Sequence, residues 1–109
     1  MNIETTLQKL RIEALNDMQQ DTIEAVLHSD KDIVVLAPTG SGKTLAYLLP
    51  LATKLDPALD EVQAVVIVPG RELAMQSNDV FRRMGTGMRS ECLYGGRPTM
   101  DEHRTIMRT

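Results

Sequence analysis

The chain has 109 residues, enough for one modest hydrophobic core and too few for two domains of ordinary size. Its net charge of −3 argues against a uniformly basic nucleic-acid binder, and its single cysteine, Cys92, excludes an intrachain disulfide and a cysteine cluster for zinc. Because no apolar stretch is long enough to cross a bilayer and the N-terminus lacks the features of a secretory signal, we expect a cytoplasmic protein with no membrane partner.

The first half of the chain is predicted to contain two helices separated by a strand. The spacing of apolar residues predicts a helix over 16–28, with Asn16 as its N-cap. Residues 33–37 are apolar and mostly β-branched, which predicts a strand. A second helix is expected over 43–54, with a kink at Pro50.

The second half continues the alternation of strand and helix. Residues 64–68 are entirely apolar, as expected for a strand covered on both faces of a parallel sheet. After a Pro-Gly break, apolar spacing predicts a helix that ends at Gly85. A short strand over 91–94 and a helix over 98–108 complete an α/β chain of about three strands and four to five helices.

A phosphate-binding loop is predicted between the first strand and the second helix. Its glycines let backbone N–H groups converge on phosphate oxygens without a Cβ in the way. Lys43 is expected to reach the β- and γ-phosphates of a nucleoside triphosphate and Thr44 to ligate Mg²⁺, which makes these two the catalytic candidates. The alternative is a glycine-rich turn with a solvated lysine. The loop residues are Ala37, Pro38, Thr39, Gly40, Ser41, Gly42, Lys43 and Thr44.

Positive charge is concentrated in the C-terminal third. Residues 71–109 contain seven arginines and five acidic residues, whereas residues 1–70 contain five basic and ten acidic residues. Guanidinium groups suit forked contacts to phosphate, so this third is a candidate phosphate-contacting region. The alternative is a set of solvated arginines on helix surfaces.

The order of these motifs resembles the DEAD-box family of ATP-dependent RNA helicases, within helicase superfamily two. Residues 37–44 resemble motif I of that family, and residues 69–76, which read Pro-Gly-Arg-Glu-Leu-Ala-Met-Gln, resemble motif Ia. Tyr94-Gly95-Gly96 resembles its glycine doublet. The resemblance implies a P-loop NTPase with a RecA-like, three-layer α/β/α architecture around a parallel sheet, with ATP and Mg²⁺ as cofactors.

The resemblance also implies contacts to the RNA backbone. Gly70, Arg71 and Glu72 of motif Ia open a helix whose first N–H groups, with Arg71, are suited to hold a phosphate. Gly95 and Gly96 permit close approach of a backbone. The alternative for both places is an ordinary turn.

Upstream, residues 15–19 resemble the end of the family's Q motif, in which a glutamine side chain contacts adenine. The carboxamide of Gln19 offers the donor and acceptor that adenine N6 and N7 require. Arg11 and Ile12 stand where glycine and an aromatic residue are usual, and Leu15 replaces a proline. The alternative role for Gln19 is to complete a variant capping box with Asn16, and the two roles are compatible.

Other motifs of the family have no counterpart in the 109 residues. No acidic pair follows an apolar strand after residue 68, so the Asp-Glu-Ala-Asp motif is absent, as is the second domain. We therefore expect residues 1–109 to be the N-terminal portion of the first helicase domain. The parent is expected to part RNA strands with ATP hydrolysis and this portion to be inactive alone. Open sheet edges would favour a homodimer or a strand swap.

Two other functions remain compatible with the sequence. The chain is alternatively a fragment of a superfamily-two DNA helicase, although those proteins usually have a phosphate loop richer in glycine. It is also compatible with a self-contained nucleotide-binding or dimerising module that performs no hydrolysis.

Overall fold

Four α-helices make up the regular structure of residues 1–93, the part of the chain that the computed structural model describes. They are α1 (Ile3–Lys9), α2 (Asp17–His28), α3 (Lys43–Lys54) and α4 (Arg71–Arg83). The last three confirm the helices predicted in this region. The chain divides into two compact units, Met1–Leu55 and a second that begins at Asp56. The predicted helix over 98–108 and the Gly95-Gly96 doublet lie outside the described residues.

Helix α1 is not predicted by the spacing of apolar residues, because its seven residues make only two turns. Its start has a clear cap, since Asn2 Oδ1 accepts a hydrogen bond from the N–H of Thr5 at 3.0 Å. The Thr6 hydroxyl, which is buried, donates to the Asn2 carbonyl at 2.9 Å. An Asn-capped first turn was therefore the local signal for this helix.

Arg11 ends α1 in a left-handed conformation, with φ +59°. The N–H of Ile12 donates to the Leu7 carbonyl at 2.9 Å, and the N–H of Arg11 donates to the Gln8 carbonyl at 3.1 Å. These two bonds form the Schellman motif, whose left-handed position is usually glycine. Arg11 therefore occupies a position at which glycine would be free of strain.

The core of the first unit is formed where α2 packs against α3. Leu49 is fully buried, and Ile23 of α2 is buried as well. The other buried residues of α3 are Ala46, Leu48, Pro50 and Ala52. This packing fixes the relation between the N-terminal end of α2 and that of α3, where the candidate site lies.

Helix α3 continues through Pro50 to Lys54. Proline has no N–H, so the carbonyl of Ala46 lacks its usual helical donor. Despite this missing bond, the helix does not end at the buried Pro50. The kink expected at this residue stays a prediction.

In the second unit, α4 ends as the sequence predicts. Met84 is its C-cap, and Gly85 follows in the left-handed region with φ +64°. Ser77, Phe81 and Met84 are buried at a spacing of four and three residues, which is the spacing of one helix face. Cys92 is half-buried.

The predicted parallel sheet is not confirmed. Within residues 1–93, no segment is hydrogen-bonded as a strand, including 33–37, 64–68 and 91–93. Apolar side chains in the first two segments are largely exposed: Val34 by 84%, Leu36 by 92%, Val65 by 77% and Ile67 by 91%. A strand needs ladder bonds to a neighbour, and an apolar run does not specify which neighbour supplies them.

In residues 1–93, no helix combines the length and the apolar character that crossing a bilayer requires.

Candidate phosphate-binding site

The predicted phosphate-binding loop leads directly into the N-terminus of α3. Gly40 and Gly42 have φ values of +82° and +87°, a region that glycine adopts without strain. Gly42 is the N-cap of α3 and, having no side chain, does not cap the first N–H groups of the helix. The positive end of the helix dipole adds to the attraction that these N–H groups have for an anion.

Two side chains at the start of α2 contact this loop. Asn16 Nδ2 donates to the Ser41 carbonyl at 2.9 Å, and Gln19 Nε2 donates to the Gly42 carbonyl at 3.1 Å. The structure therefore brings Gln19, the predicted adenine contact, next to the loop that is predicted to bind the phosphates.

The same two residues form the capping box of α2, which confirms that prediction. Asn16 Oδ1 accepts from the N–H of Gln19 at 2.8 Å, and Gln19 Oε1 accepts from the N–H of Asn16 at 2.9 Å. Gln19 is 6% exposed. Its carboxamide thus makes one donor bond and one acceptor bond, and retains one hydrogen and one lone pair for a further partner.

The two loop glycines differ in the space around them. A Cβ on Gly42 would overlap Nε2 of Gln19, whereas a Cβ on Gly40 would meet no atom within 4 Å. Gly42 is therefore required both by its backbone conformation and by the close approach of Gln19, and Gly40 by its conformation alone.

Three polar side chains of the loop and of the first turn of α3 fit a phosphate ligand. Ser41 Oγ is buried and has no hydrogen-bond partner among the described residues, which is rare in folded proteins. Lys43 is exposed and Thr44 is half-buried. An ammonium group, two hydroxyl groups and the N–H groups of a helix start are donors that match phosphate oxygens.

The described residues offer less for a metal ion. No group of three or more His, Cys, Asp or Glu side chains in residues 1–93 could hold one. The Thr44 hydroxyl is a hard oxygen ligand of the kind Mg²⁺ accepts, and Mg²⁺ commonly takes its remaining ligands from water and from substrate phosphates.

The predicted RNA-contacting residues of motif Ia lie in the second unit, at the start of α4. Gly70 is the N-cap with extended backbone, and its carbonyl accepts from the N–H of Ala74 at 3.1 Å. Arg71 and Glu72 are exposed in the first turn. The structure thus places these three residues together.

Sequence reasoning missed the second role of Asn16. We predicted it only as an N-cap, but its side chain also contacts a residue 25 positions along the chain. The available signal was its residue type, because asparagine retains an amide donor after its oxygen has capped a helix.

The comparisons with known proteins agree with these motifs. The model of the DEAD/DEAH box helicase family matches residues 16–109. The chain belongs to this family. The matched region begins at Asn16 and includes α2, the loop, α3 and α4. Within the DEAD/DEAH box helicase family a RecA-like sheet is expected, and residues 1–93 do not confirm it.

Similar members of this helicase family come from fungi and from bacteria. The chain is 45% identical over 89 residues to the ATP-dependent rRNA helicase RRP3 of Candida albicans, covering 78% of this chain and 17% of the relative. It is 40% identical over 104 residues to RRP3 of Meyerozyma guilliermondii, covering 94% of this chain and 22% of the relative. It is 38% identical over 91 residues to the DEAD-box ATP-dependent RNA helicase CshC of Bacillus cereus, covering 82% of this chain and 23% of the relative.

The chain therefore spans about a fifth of the length of these curated relatives. No solved structure gives a significant match.

Proposed function

We propose that residues 37–44 bind the phosphates of ATP and that the chain acts as part of an ATP-dependent RNA helicase. One observation carries the proposal: a loop with two left-handed glycines opens α3 and accepts hydrogen bonds from the start of α2. Relatives named as ATP-dependent RNA helicases support the reaction class.

Different residues of the loop would make different contacts with the nucleotide and with Mg²⁺. The N–H groups at the start of α3 and the ammonium group of Lys43 would bind phosphate oxygens, and the Ser41 hydroxyl would gain a partner. Thr44 would ligate Mg²⁺, which supplies positive charge to the phosphates. Ala37, Pro38, Thr39 and Gly40 would form the backbone path that leads into this turn.

Gln19 is proposed to contact adenine while keeping its bonds within the chain. It uses one amide hydrogen on the Gly42 carbonyl and one lone pair on the N–H of Asn16. The remaining hydrogen and lone pair are the pair that adenine N7 and N6 require. Base recognition and support of the loop would then come from one side chain.

RNA is the proposed nucleic-acid partner. Gly70, Arg71 and Glu72 open α4 with a glycine N-cap that has no side-chain bond of its own, which suits backbone phosphate contacts without reading of sequence. Gly95 and Gly96 are also proposed to contact the RNA backbone without reading its sequence. The names of the relatives favour RNA over the DNA alternative.

Hydrolysis is proposed for the parent protein and not for these 109 residues by themselves. No acidic pair follows an apolar run after residue 68, so the carboxylates that would orient an attacking water have no counterpart in this sequence. The chain alone is proposed to bind ATP without turning it over.

A second copy of the chain is the proposed partner of the exposed apolar segments 33–37 and 64–68. Exposed β-branched runs such as these pair with other chains, which supports a homodimer or an exchange of strands.

Calorimetric titration with ATP, GTP and Mg²⁺ tests the nucleotide proposal. We expect Mg-ATP to bind more tightly than Mg-GTP, and Lys43→Ala to abolish binding of both. Lys54→Ala is the matched control, because Lys54 is an exposed lysine at the other end of the same helix. Equal binding by wild type and Lys43→Ala would exclude the loop as the phosphate site, and equal affinities for ATP and GTP would exclude the adenine contact.

A further inference from the structure

The connector that follows α4, residues 85–89, turns the chain back alongside the helix. Gly85 and Gly87 have φ values of +64° and +79°, in the left-handed region that glycine adopts without strain. Between and after them, the N–H of Met88 donates to Thr86 Oγ1 at 3.2 Å, which closes a local turn. Two left-handed residues and a hydroxyl turn thus reverse the chain within a few residues.

A side-chain hydrogen bond marks the place where the returning chain meets the helix. Ser90 Oγ donates to Asn78 Oδ1 at 2.6 Å, between residues 12 positions apart. Asn78 lies six positions before the C-cap Met84, which is about 9 Å back along the axis at about 1.5 Å per residue. Ser90 is therefore held beside the middle of α4 and not at its end.

Asn78 lies on the same flank of α4 as Arg71. The two residues are seven positions apart, which is almost two full turns, so they lie on one side of the helix. This flank is next to the buried face formed by Ser77, Phe81 and Met84. The bond to Ser90 therefore attaches the returning chain to the flank on which motif Ia begins the helix.

Residues 91–93 have the exposure pattern of an extended segment. Glu91 and Leu93 are exposed, whereas Cys92 between them is half-buried. This alternation is that of an extended chain with one side against the protein. In the described part of the chain the segment joins no ladder, so side-chain contacts, with the Ser90 bond at its start, determine where it lies.

The length of this segment matches the distance from Asn78 to the start of α4. Seven residues of helix span about 10 Å, and an extended chain advances about 3.3 Å per residue. Three extended residues after Ser90 therefore cover that distance. The predicted RNA contact at Gly95 follows two positions after Leu93.

Building on the proposed RNA contacts, we propose that Asn78 and Ser90 are positioning residues for RNA binding, which set the register of residues 91–93 along α4. This register brings the residues that follow Leu93 beside the start of motif Ia, so that both places contact one RNA backbone. A slip of one residue would move them by about 3.3 Å and reverse the side that each residue presents. Neither Asn78 nor Ser90 contacts the RNA.

Four variants test this role. Ser90→Ala removes the donor, and Ser90→Thr keeps a hydroxyl at the same place. Asn78→Ala removes the acceptor, and combining it with Ser90→Ala should add no further loss, because both remove the same bond. Thr86→Ala is the matched control, because it removes a nearby hydroxyl whose bond to Met88 stays within the connector.

The first measurement uses the 109-residue chain without RNA. Backbone ¹⁵N relaxation should show increased mobility of the amides of residues 91–93 in Ser90→Ala and Asn78→Ala. Ser90→Thr and Thr86→Ala should keep wild-type values at these amides. Unchanged relaxation in Ser90→Ala would overturn the proposal, whether or not the chain binds RNA.

The second measurement is fluorescence anisotropy with a labelled, unstructured single-stranded RNA, with the melting temperature recorded in parallel. Loss of one hydrogen bond that sets a register should weaken RNA binding about 2- to 10-fold in Ser90→Ala and in Asn78→Ala. Ser90→Thr and Thr86→Ala should bind like wild type. The loss should persist in an Arg71→Ala background, because the bond acts through the residues after Leu93 and not through Arg71.

The outcomes separate this role from the proposed function. Wild-type RNA affinity of Ser90→Ala, together with weaker binding by Arg71→Ala, would refute the positioning role and leave the contact at motif Ia intact. Equal losses of affinity in Ser90→Ala and Thr86→Ala would reduce the bond to general support of the fold and also refute the role. Absence of RNA binding by the wild-type chain would instead refute the proposed RNA partner.

Discussion

Gly42→Ala should destabilise the protein more than Gly40→Ala, although the two glycines have nearly the same φ angle. Their φ values are +87° and +82°. Only at Gly42 would the new Cβ overlap a neighbouring group, Nε2 of Gln19, whereas Gly40 has no atom within 4 Å of that position. The pair of variants therefore separates backbone strain from the loss of the Gln19 contact.

The magnitudes follow from these two contributions. A non-glycine residue in the left-handed region costs about 1–2 kcal/mol of unfolding free energy, and both variants share this cost. Gly42→Ala also displaces the amide of Gln19, whose hydrogen bond to the Gly42 carbonyl contributes about 0.5–1.5 kcal/mol. We therefore expect Gly42→Ala to be less stable than Gly40→Ala by about 1 kcal/mol. For a domain of this size, that difference lowers the melting temperature by about 4 °C.

Thermal melts followed by circular dichroism measure the difference. In a Gln19→Ala background the overlapping group is gone, so the effect of Gly42→Ala should fall to that of Gly40→Ala alone, a coupling of about 1 kcal/mol. Equal melting temperatures of the two glycine variants in the wild-type background would refute the contact between Gln19 and the loop as a source of stability.

Three further outcomes are expected. Arg11→Gly should raise the melting temperature by about 2–4 °C, because relief of about 1–2 kcal/mol of strain at φ +59° outweighs the entropy cost of glycine, about 0.5–1 kcal/mol. Arg11→Ala, which keeps the strain, should not raise it. If both variants melt like wild type, the left-handed arginine is not strained. In fluorescence anisotropy, Arg71→Ala should weaken RNA binding by the chain for all sequences alike and reduce its salt dependence, and Arg82→Ala at the other end of α4 should not. A sequence-dependent loss would contradict a phosphate contact. Light scattering should show self-association of the wild-type chain that is reduced by Val34→Lys and Ile67→Lys, which charge the most exposed apolar runs. A wild-type monomer at every concentration would exclude the dimer.

The family assignment and most of the helices were predictable from the sequence because their signals are local. Asn16, Gly85 and the spacing of apolar residues mark the ends and faces of α2 and α4 within a few residues of each other. The loop over 37–44 is also a contiguous motif, and it lies within the residues that the family model matches. Helix α1 was missed because two turns are too short for a periodic pattern.

The predicted strands are not confirmed, because a strand is defined by hydrogen bonds to a neighbouring strand and not by its own residues alone. Residues 33–37 and 64–68 have the composition of buried strands, yet in the described part of the chain they form no ladder and expose their side chains. Composition indicates that such a segment favours pairing, and a partner strand must then supply the hydrogen bonds.

By itself, the sequence determined that the chain belongs to the DEAD/DEAH box helicase family and that a glycine-containing loop over 37–44 leads into a helix, since each motif is contiguous. Only the tertiary structure decided what supports that loop. The bonds from Asn16 to Ser41 and from Gln19 to Gly42 join residues 25 and 23 positions apart. They exist because α2 packs against α3 and brings one helix start beside the other, a relation that no local pattern encodes.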